Sequence, residues 1–301
     1  MSLPRRILPG RSYLITRSTR NRRFFLSPSD SGVAIIFWFC IAFAAAITGV
    51  QVAAVSVLST HIHIVLTDVR GELPRFCHWL FRHTSLCLKC LRGIDENVWS
   101  ASEPSYVELL TPDAIIEAIA YTMGNPASSG LLPRANAWPG VMSRPEDLKG
   151  RTIVAEVPRQ FFSRRHKPRS LTFSMPPMLK ELYDEDDVVS LIKSQIRAIE
   201  KAATSELKAK GHSFLGLEAI LRTKHTGRPK TKRGGKPGSR TVPTLKTVSK
   251  KAMMHAIDEL KAFRQTYAEA LREWRAGRDA VFPPGTWWMA RFARVKVAPA
   301  V

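Results

Sequence analysis

The chain has 301 residues and carries 46 Lys and Arg against 25 Asp and Glu, a formal net charge of +21. With 45% hydrophobic and 24% charged residues it can bury a core, so wholesale disorder is excluded. A pI near 10.4 points to polyanionic partners, nucleic acid or an anionic membrane face, and four cysteines exclude a disulfide scaffold and suggest a reducing compartment.

The N-terminus is basic, through Arg5, Arg6, Arg11, Arg17, Arg20, Arg22 and Arg23, and Ser12–Arg17 alternates as a strand with one solvated face. From Val33 to Leu58 the only polar side chains are Thr48, Gln51 and Ser56. Such a stretch after a run of arginines reads as a membrane span. Gly49 divides it, leaving about 15 residues on its N-terminal side against the roughly 20 that a helical span needs. The β-branched Val50, Val52, Val55 and Val57 then favour a strand. A buried helix over 33–47 followed by a buried strand over 50–58 is the competing reading, and the residues alone leave both open.

Thr60–Asp68 alternates again, with His61, His63, Val65 and Thr67 on one face and Ile62, Ile64 and Leu66 on the other. The spacing predicts a helix from Glu72 to Leu91 with Gly93 after its end. Cys87 and Cys90 have a zinc-like spacing, but they share that helix with Cys77, His78 and His83, and one helix cannot wrap a tetrahedral site. A further helix is expected with Thr111 as N-cap, Pro112 as its first residue and Ile115, Ile116, Ile119 and Met123 as its apolar stripe; Asn125-Pro126 is expected to stop it.

After about Pro145 the character changes. A helical pattern runs over Val188–Leu221, and the acidic Asp184–Asp187 suits the start of a helix. Residues 222–250 are basic, contain Gly and Pro and lack any acidic residue, so this linker is expected to stay mobile until it meets a polyanion. Met253 to Trp274 reads as an amphipathic helix, and Phe282–Trp288 as an aromatic tail.

Two features can carry chemistry. Imidazoles at i and i+2 of a strand, His61 and His63, point the same way and can bind one divalent metal. Tyr121 and Asn125, four apart on a helix, share a face. A phenol beside a metal-bound phosphate is a competent nucleophile, and an asparagine amide oxygen can complete a three-ligand set. Taken singly, a hydrogen-bonded histidine pair, a half-buried core tyrosine and an asparagine helix cap are the ordinary readings.

In order along the chain, these blocks resemble the REP-associated tyrosine transposases of bacteria, a branch of the HUH single-tyrosine transposases. Leu8–Tyr13 with Thr16-Arg17 is similar to the family's opening strand, Leu58–Leu66 to its His–hydrophobe–His strand, Tyr121–Pro126 with Ser129–Leu131 to its nucleophile helix, and Ala137-Trp138-Pro139 to the element that follows. The resemblance covers roughly residues 4–145. Departures are Thr60 where an asparagine is common, Ala127-Ser128-Ser129 where an arginine is usual, and an uncharged 33–47 where the family's helix carries charges.

The resemblance implies a ferredoxin-like α+β fold, an antiparallel sheet with helices packed on one face, for a catalytic domain over 1–145, and it makes 33–47 a soluble core helix. Residue pattern alone adds a mainly helical basic extension, divided into a helical part (146–221), a basic flexible linker (222–250) and a C-terminal helix with aromatic tail (251–301). The resemblance implies an enzyme that cuts and rejoins single-stranded DNA through a 5′-phosphotyrosine, with Tyr121 as nucleophile and His61, His63 and Asn125 holding Mg²⁺ or Mn²⁺. The expected partners are single-stranded or hairpin DNA and a second copy in a homodimer, in the bacterial cytoplasm. The cations expected to grip DNA are Arg17, Arg22, Arg23, Arg228, Lys230, Lys232 and Arg233. The alternatives are a catalytically inactive DNA-binding derivative and a membrane-anchored basic protein.

Overall fold

A computed structural model describes residues 3–230 and 244–299. Its first half runs β1 (Arg11–Ser18), α1 (Gly32–Thr48), β2 (Gln51–Leu58), β3 (His61–Asp68), α2 (Leu73–Arg92) and β4 (Ser105–Leu109). The strands lie in the order β2-β3-β1-β4, all neighbours antiparallel. That βαββαβ chain order and strand order make the ferredoxin-like α+β sandwich expected from the sequence.

The alternation of β3 sorts its side chains into two cores. Ile62, Ile64 and Leu66 join Phe37, Ile41, Phe76 and Leu80 of α1 and α2, whereas Val65 joins Ile115, Ile119 and Met123 on the opposite face. That face is covered by α3 (Pro112–Ser128) and, behind it, α5 (Glu185–Ala209). The pair α1 and α2 therefore form the expected one-sided layer, and α3 adds a second layer over the histidine face. Gly124 lets α3 and α5 approach closely, since a Cβ there would lie 3.1 Å from Ile199 Cδ1.

Two local expectations change. Thr111 stands at the N-cap of α3, yet its hydroxyl meets Thr247 Oγ1 at 3.3 Å instead of the helix end. The helix also runs through Pro126 to Ser128, so Asn125 is not its cap. Proline removes one N–H from the ladder, but it leaves the next turn intact, and Ser129 N–H still donates to the Asn125 carbonyl at 2.9 Å.

The apolar stretch resolves as helix plus strand. Gly49 ends α1 with φ +74°, a left-handed conformation suited to glycine, and β2 follows at once. Among the described residues no helix is long and apolar enough to cross a membrane. One side of α1 meets the sheet, and the other is roofed by the hairpin β5 (Thr152–Ala155) and β6 (Arg169–Thr172) with its connecting loop. Phe162 of that loop meets Phe39 at 4.8 Å between ring centroids, and Phe173 meets Trp38 at 6.1 Å. An uncharged helix is thus buried on both sides, by the sheet and by this second apolar surface.

The chain continues through α4 (Pro177–Lys180), α5, α6 (Leu217–Leu221), β7 (Leu245–Lys246), α7 (Lys250–Arg275), β8 (Val281–Phe282), α8 (Trp288–Phe292) and β9 (Lys296–Val297). Part of the basic linker is tied down. Phe24 N–H donates to the Gly227 carbonyl at 3.0 Å and the Arg23 guanidinium to the Thr226 carbonyl at 3.1 Å. At the linker's far end β7 joins the sheet beside β4. The four cysteines are unpaired, with Cys40, Cys77 and Cys87 buried and Cys90 exposed.

Candidate active site

Strand register sets the site. His63 lies opposite Thr16 of β1 and Ser56 of β2, and His61 opposite Ser18 and Leu58. Because facing residues of paired strands share a side of the sheet, both imidazoles turn toward α3. Their ring centroids are 4.9 Å apart, and the Tyr121 ring stands edge-on to His63 at 5.3 Å. Tyr121 is 41% exposed although it sits beside the nearly sealed His63, which is 4% exposed. The structure thus brings together three of the four residues expected to do chemistry, with Tyr121 open to solvent.

Each imidazole is oriented by a threonine. His63 Nδ1 is 2.9 Å from Thr16 Oγ1, and His61 Nδ1 is 2.9 Å from Thr60 Oγ1. A hydroxyl can accept from Nδ1, and in that tautomer Nε2 carries the lone pair that a metal would take. His63 Nε2 is buried and has no hydrogen-bond partner among the described residues. Thr60, where the resembled family commonly has asparagine, supplies the orienting contact for His61.

Burial, reinforced by the neighbouring His61, pushes the His63 imidazole down to about 3, so it stays neutral in the folded chain. An unfolded histidine charges near pH 6.5, so between there and about 3 the unfolded state binds the extra proton and stability falls as pH is lowered. Denaturant unfolding of metal-free protein between about pH 7 and 5 should show this slope, and His63→Leu should flatten it by up to about 1.4 kcal/mol per pH unit. An unchanged slope in the variant would mean that His63 is not held neutral.

Asn125 lies one helical turn beyond Tyr121 and is 1% exposed. Its amide oxygen accepts from Ser129 Oγ at 3.2 Å, which leaves that oxygen a second lone pair. Among the described residues no cluster of three His, Cys, Asp or Glu can hold a metal. A cation on the histidine pair therefore needs a donor of another kind, and an amide oxygen is one. The buried, unpartnered Nε2 of His63 and the threonine-oriented rings fit such an ion.

The predicted DNA-gripping cations scatter. Arg17 points to the opposite face, over the rings of Phe81 at 4.6 Å and Trp99 at 5.6 Å, where burial lowers its pKa. It stands away from Tyr121 because it follows Ile15 in the alternation of β1, whereas Thr16 faces His63. Arg22 sits in the turn after β1, and Arg23 pairs with Glu96 at 3.6 Å. Arg228 and Lys230 are exposed, on the segment whose Gly227 bonds the loop after β1, which in turn bonds the Ser59–Thr60 turn leading to His61. Lys232 and Arg233 lie outside the described residues.

Sequence reasoning passed over the orienting Thr16. The signal was available in the facing alternation of β1 and β3, but strand pairing had to be known to use it.

No family model matches the chain, and no curated protein matches it. Among solved structures it is similar to a REP-associated tyrosine transposase bound to a REP hairpin, at 18% identity over 50% of this chain and 86% of that one, with a TM-score of 0.42. It is also similar to a candidate transposase from Deinococcus radiodurans, at 17% identity over 32% of this chain and 76% of that one, with a TM-score of 0.28.

Proposed function

We propose that the protein is a divalent-metal-dependent, single-stranded DNA endonuclease and strand-transfer enzyme of the tyrosine transposase type. One observation carries this reading: an exposed tyrosine ring 5.3 Å from a buried imidazole whose Nε2 has no partner and whose neighbour in the sheet face is a second imidazole. A core tyrosine would be buried, and a structural histidine would have both nitrogens engaged.

In the proposed reaction the Tyr121 oxygen attacks the scissile phosphorus. The Tyr O–P bond forms, the bond from phosphorus to the 3′-oxygen breaks, and the phenolic proton balances the 3′-hydroxyl that leaves. The phosphodiester energy is kept in the 5′-phosphotyrosine, so attack by a 3′-hydroxyl can rejoin strands without ATP. His61, His63 and Asn125 are the residues proposed to hold Mg²⁺ or Mn²⁺, which when bound would neutralise charge developing on the phosphate. Thr16 and Thr60 hold the two imidazole rings in place through their Nδ1 atoms.

Cleavage of labelled single-stranded oligonucleotides from DNA flanking the gene, with Mn²⁺ and with EDTA, tests this. The expected result is a protein–DNA adduct that survives denaturation and appears only with metal. Binding without any adduct would instead favour the inactive DNA-binding derivative.

Arg228 and Lys230 are proposed to contact DNA phosphates next to the site. Replacing both by Ala should weaken single-strand binding and lower the slope of log K against log salt by about 1.4, at roughly 0.7 per lost contact. Equal slopes for wild type and variant would remove these residues from the DNA path.

A further inference from the structure

Beneath α3 three polar atoms are sealed from solvent with no hydrogen-bond partner among the described residues: His63 Nε2, Ser56 Oγ and Thr122 Oγ1. Ser56 and Thr122 are both 0% exposed. Ser56 is the register partner of His63 on β2, so the two side chains leave the same face of the sheet as neighbours. On α3, Asn125 is turned about 40° from Tyr121 and Thr122 about 100° in the same sense, at 3.6 residues per turn. Tyr121, Asn125 and Thr122 thus sweep from the solvent edge of the helix to the side that rests on the sheet, where Val65 and Ala54 meet Ile115 and Ile119.

The unpartnered state of Thr122 runs against a local habit of this protein. Thr48, Thr84, Thr204 and Thr223 each donate to the carbonyl four residues back, at 2.7–2.9 Å. Thr122 makes no such bond, although helical geometry offers it. Ser12 and Thr67, at the other end of the same sheet face, satisfy one another at 2.9 Å, while Ser56 and its neighbour His63 do not. Buried hydroxyls are costly to leave unmet, and two of them, one beside His63 on the sheet and one on the sheet-facing side of α3, mark a place built for a polar occupant.

We infer that Ser56 and Thr122 are positioning residues of the proposed metal site, their hydroxyls holding the water or amide oxygen that shares the cation with His63. This rests on the metal-dependent reading above and extends it inward from the histidine pair. Neither residue touches the scissile phosphate; both act by fixing what the cation is bound to.

The test separates metal affinity from stability. In the full-length protein Ser56→Ala and Thr122→Val should weaken Mn²⁺ binding about 10- to 100-fold, measured by calorimetry and by the electron paramagnetic resonance of free Mn²⁺. In EDTA the same variants should melt at or above the wild-type temperature, since each loses an unmet buried hydroxyl. A purely structural role predicts the reverse, a lower melting temperature with unchanged Mn²⁺ affinity, and that result overturns the inference. So does Mn²⁺ affinity within two-fold of wild type in both variants. If wild type itself binds no Mn²⁺, the metal reading falls and the inference with it, which is distinguishable from wild type binding while the variants bind equally well.

Discussion

Replacing Tyr121 by Phe should abolish covalent DNA capture while leaving the fold and DNA binding in place. The hydroxyl is the attacking atom in the proposed reaction, and without it no phosphotyrosine bond can form. Adduct formation should fall at least about 1,000-fold, to the background of adventitious nucleophiles. The substitution is mild structurally. Phe keeps the ring edge that meets His63, and a side chain 41% exposed gives up little packing, so stability should stay within about 0.5 kcal/mol of wild type. Filter binding on single-stranded oligonucleotides and a denaturing gel read the two properties separately. Persistent adduct in the variant would move the nucleophile elsewhere.

Of the other four tyrosines, two are constrained by burial. Tyr13 and Tyr106 pack with the core on the α1/α2 side, and burial raises both phenols well above their ordinary range. Their hydroxyls face away from the histidine pair.

The second large effect concerns the fold that carries the site. Phe162→Ala should destabilise the protein by about 3–5 kcal/mol, the usual cost of emptying a buried phenylalanine site. Phe162 is 6% exposed and packs its ring against Phe39, Phe43 and His83, at 4.8, 6.3 and 5.5 Å between centroids. These rings seal the outer side of α1, a helix with no charge of its own. Its loss uncovers aromatic surface on a chain whose whole stability is of order 5–15 kcal/mol, so the variant should also bind hydrophobic dyes and aggregate. Urea unfolding gives the energy. A cost below about 1 kcal/mol would mean that Phe162 does not seal the outer side of α1.

Much of this architecture was legible in the residues. Alternation over Thr60–Asp68 assigned the two faces of β3, because periodicity is a local signal, whereas Gly49 marked a break in the apolar stretch but left a membrane span open beside the helix-and-strand reading. Tyr121 and Asn125 were readable as one helical face, and His61 and His63 as one strand face. What covers α1 was not readable, since Phe162 lies more than one hundred positions along the chain from Phe39 and no local pattern records that contact. The end of α3 was misjudged for a similar reason: packing against α5 holds the helix past Pro126. Arg17 looked like a solvent cation because its alternation fits either face, and only the placement of Phe81 and Trp99 decides. Ser56 and Thr122 carried no signal until β2, β3 and α3 were stacked.

The most direct test of the account is to locate the covalent bond. After reaction of wild-type protein with a single-stranded oligonucleotide and Mn²⁺, nuclease and protease digestion followed by tandem mass spectrometry should find the phosphate or residual nucleotide on Tyr121. The peptide between Arg92 and Arg134 also contains Tyr106, so fragment ions must assign the site. Phosphate on Tyr121, formed with metal and absent with EDTA, is the result the account predicts. An adduct on any other residue, or DNA cleavage with no adduct at all, would contradict it.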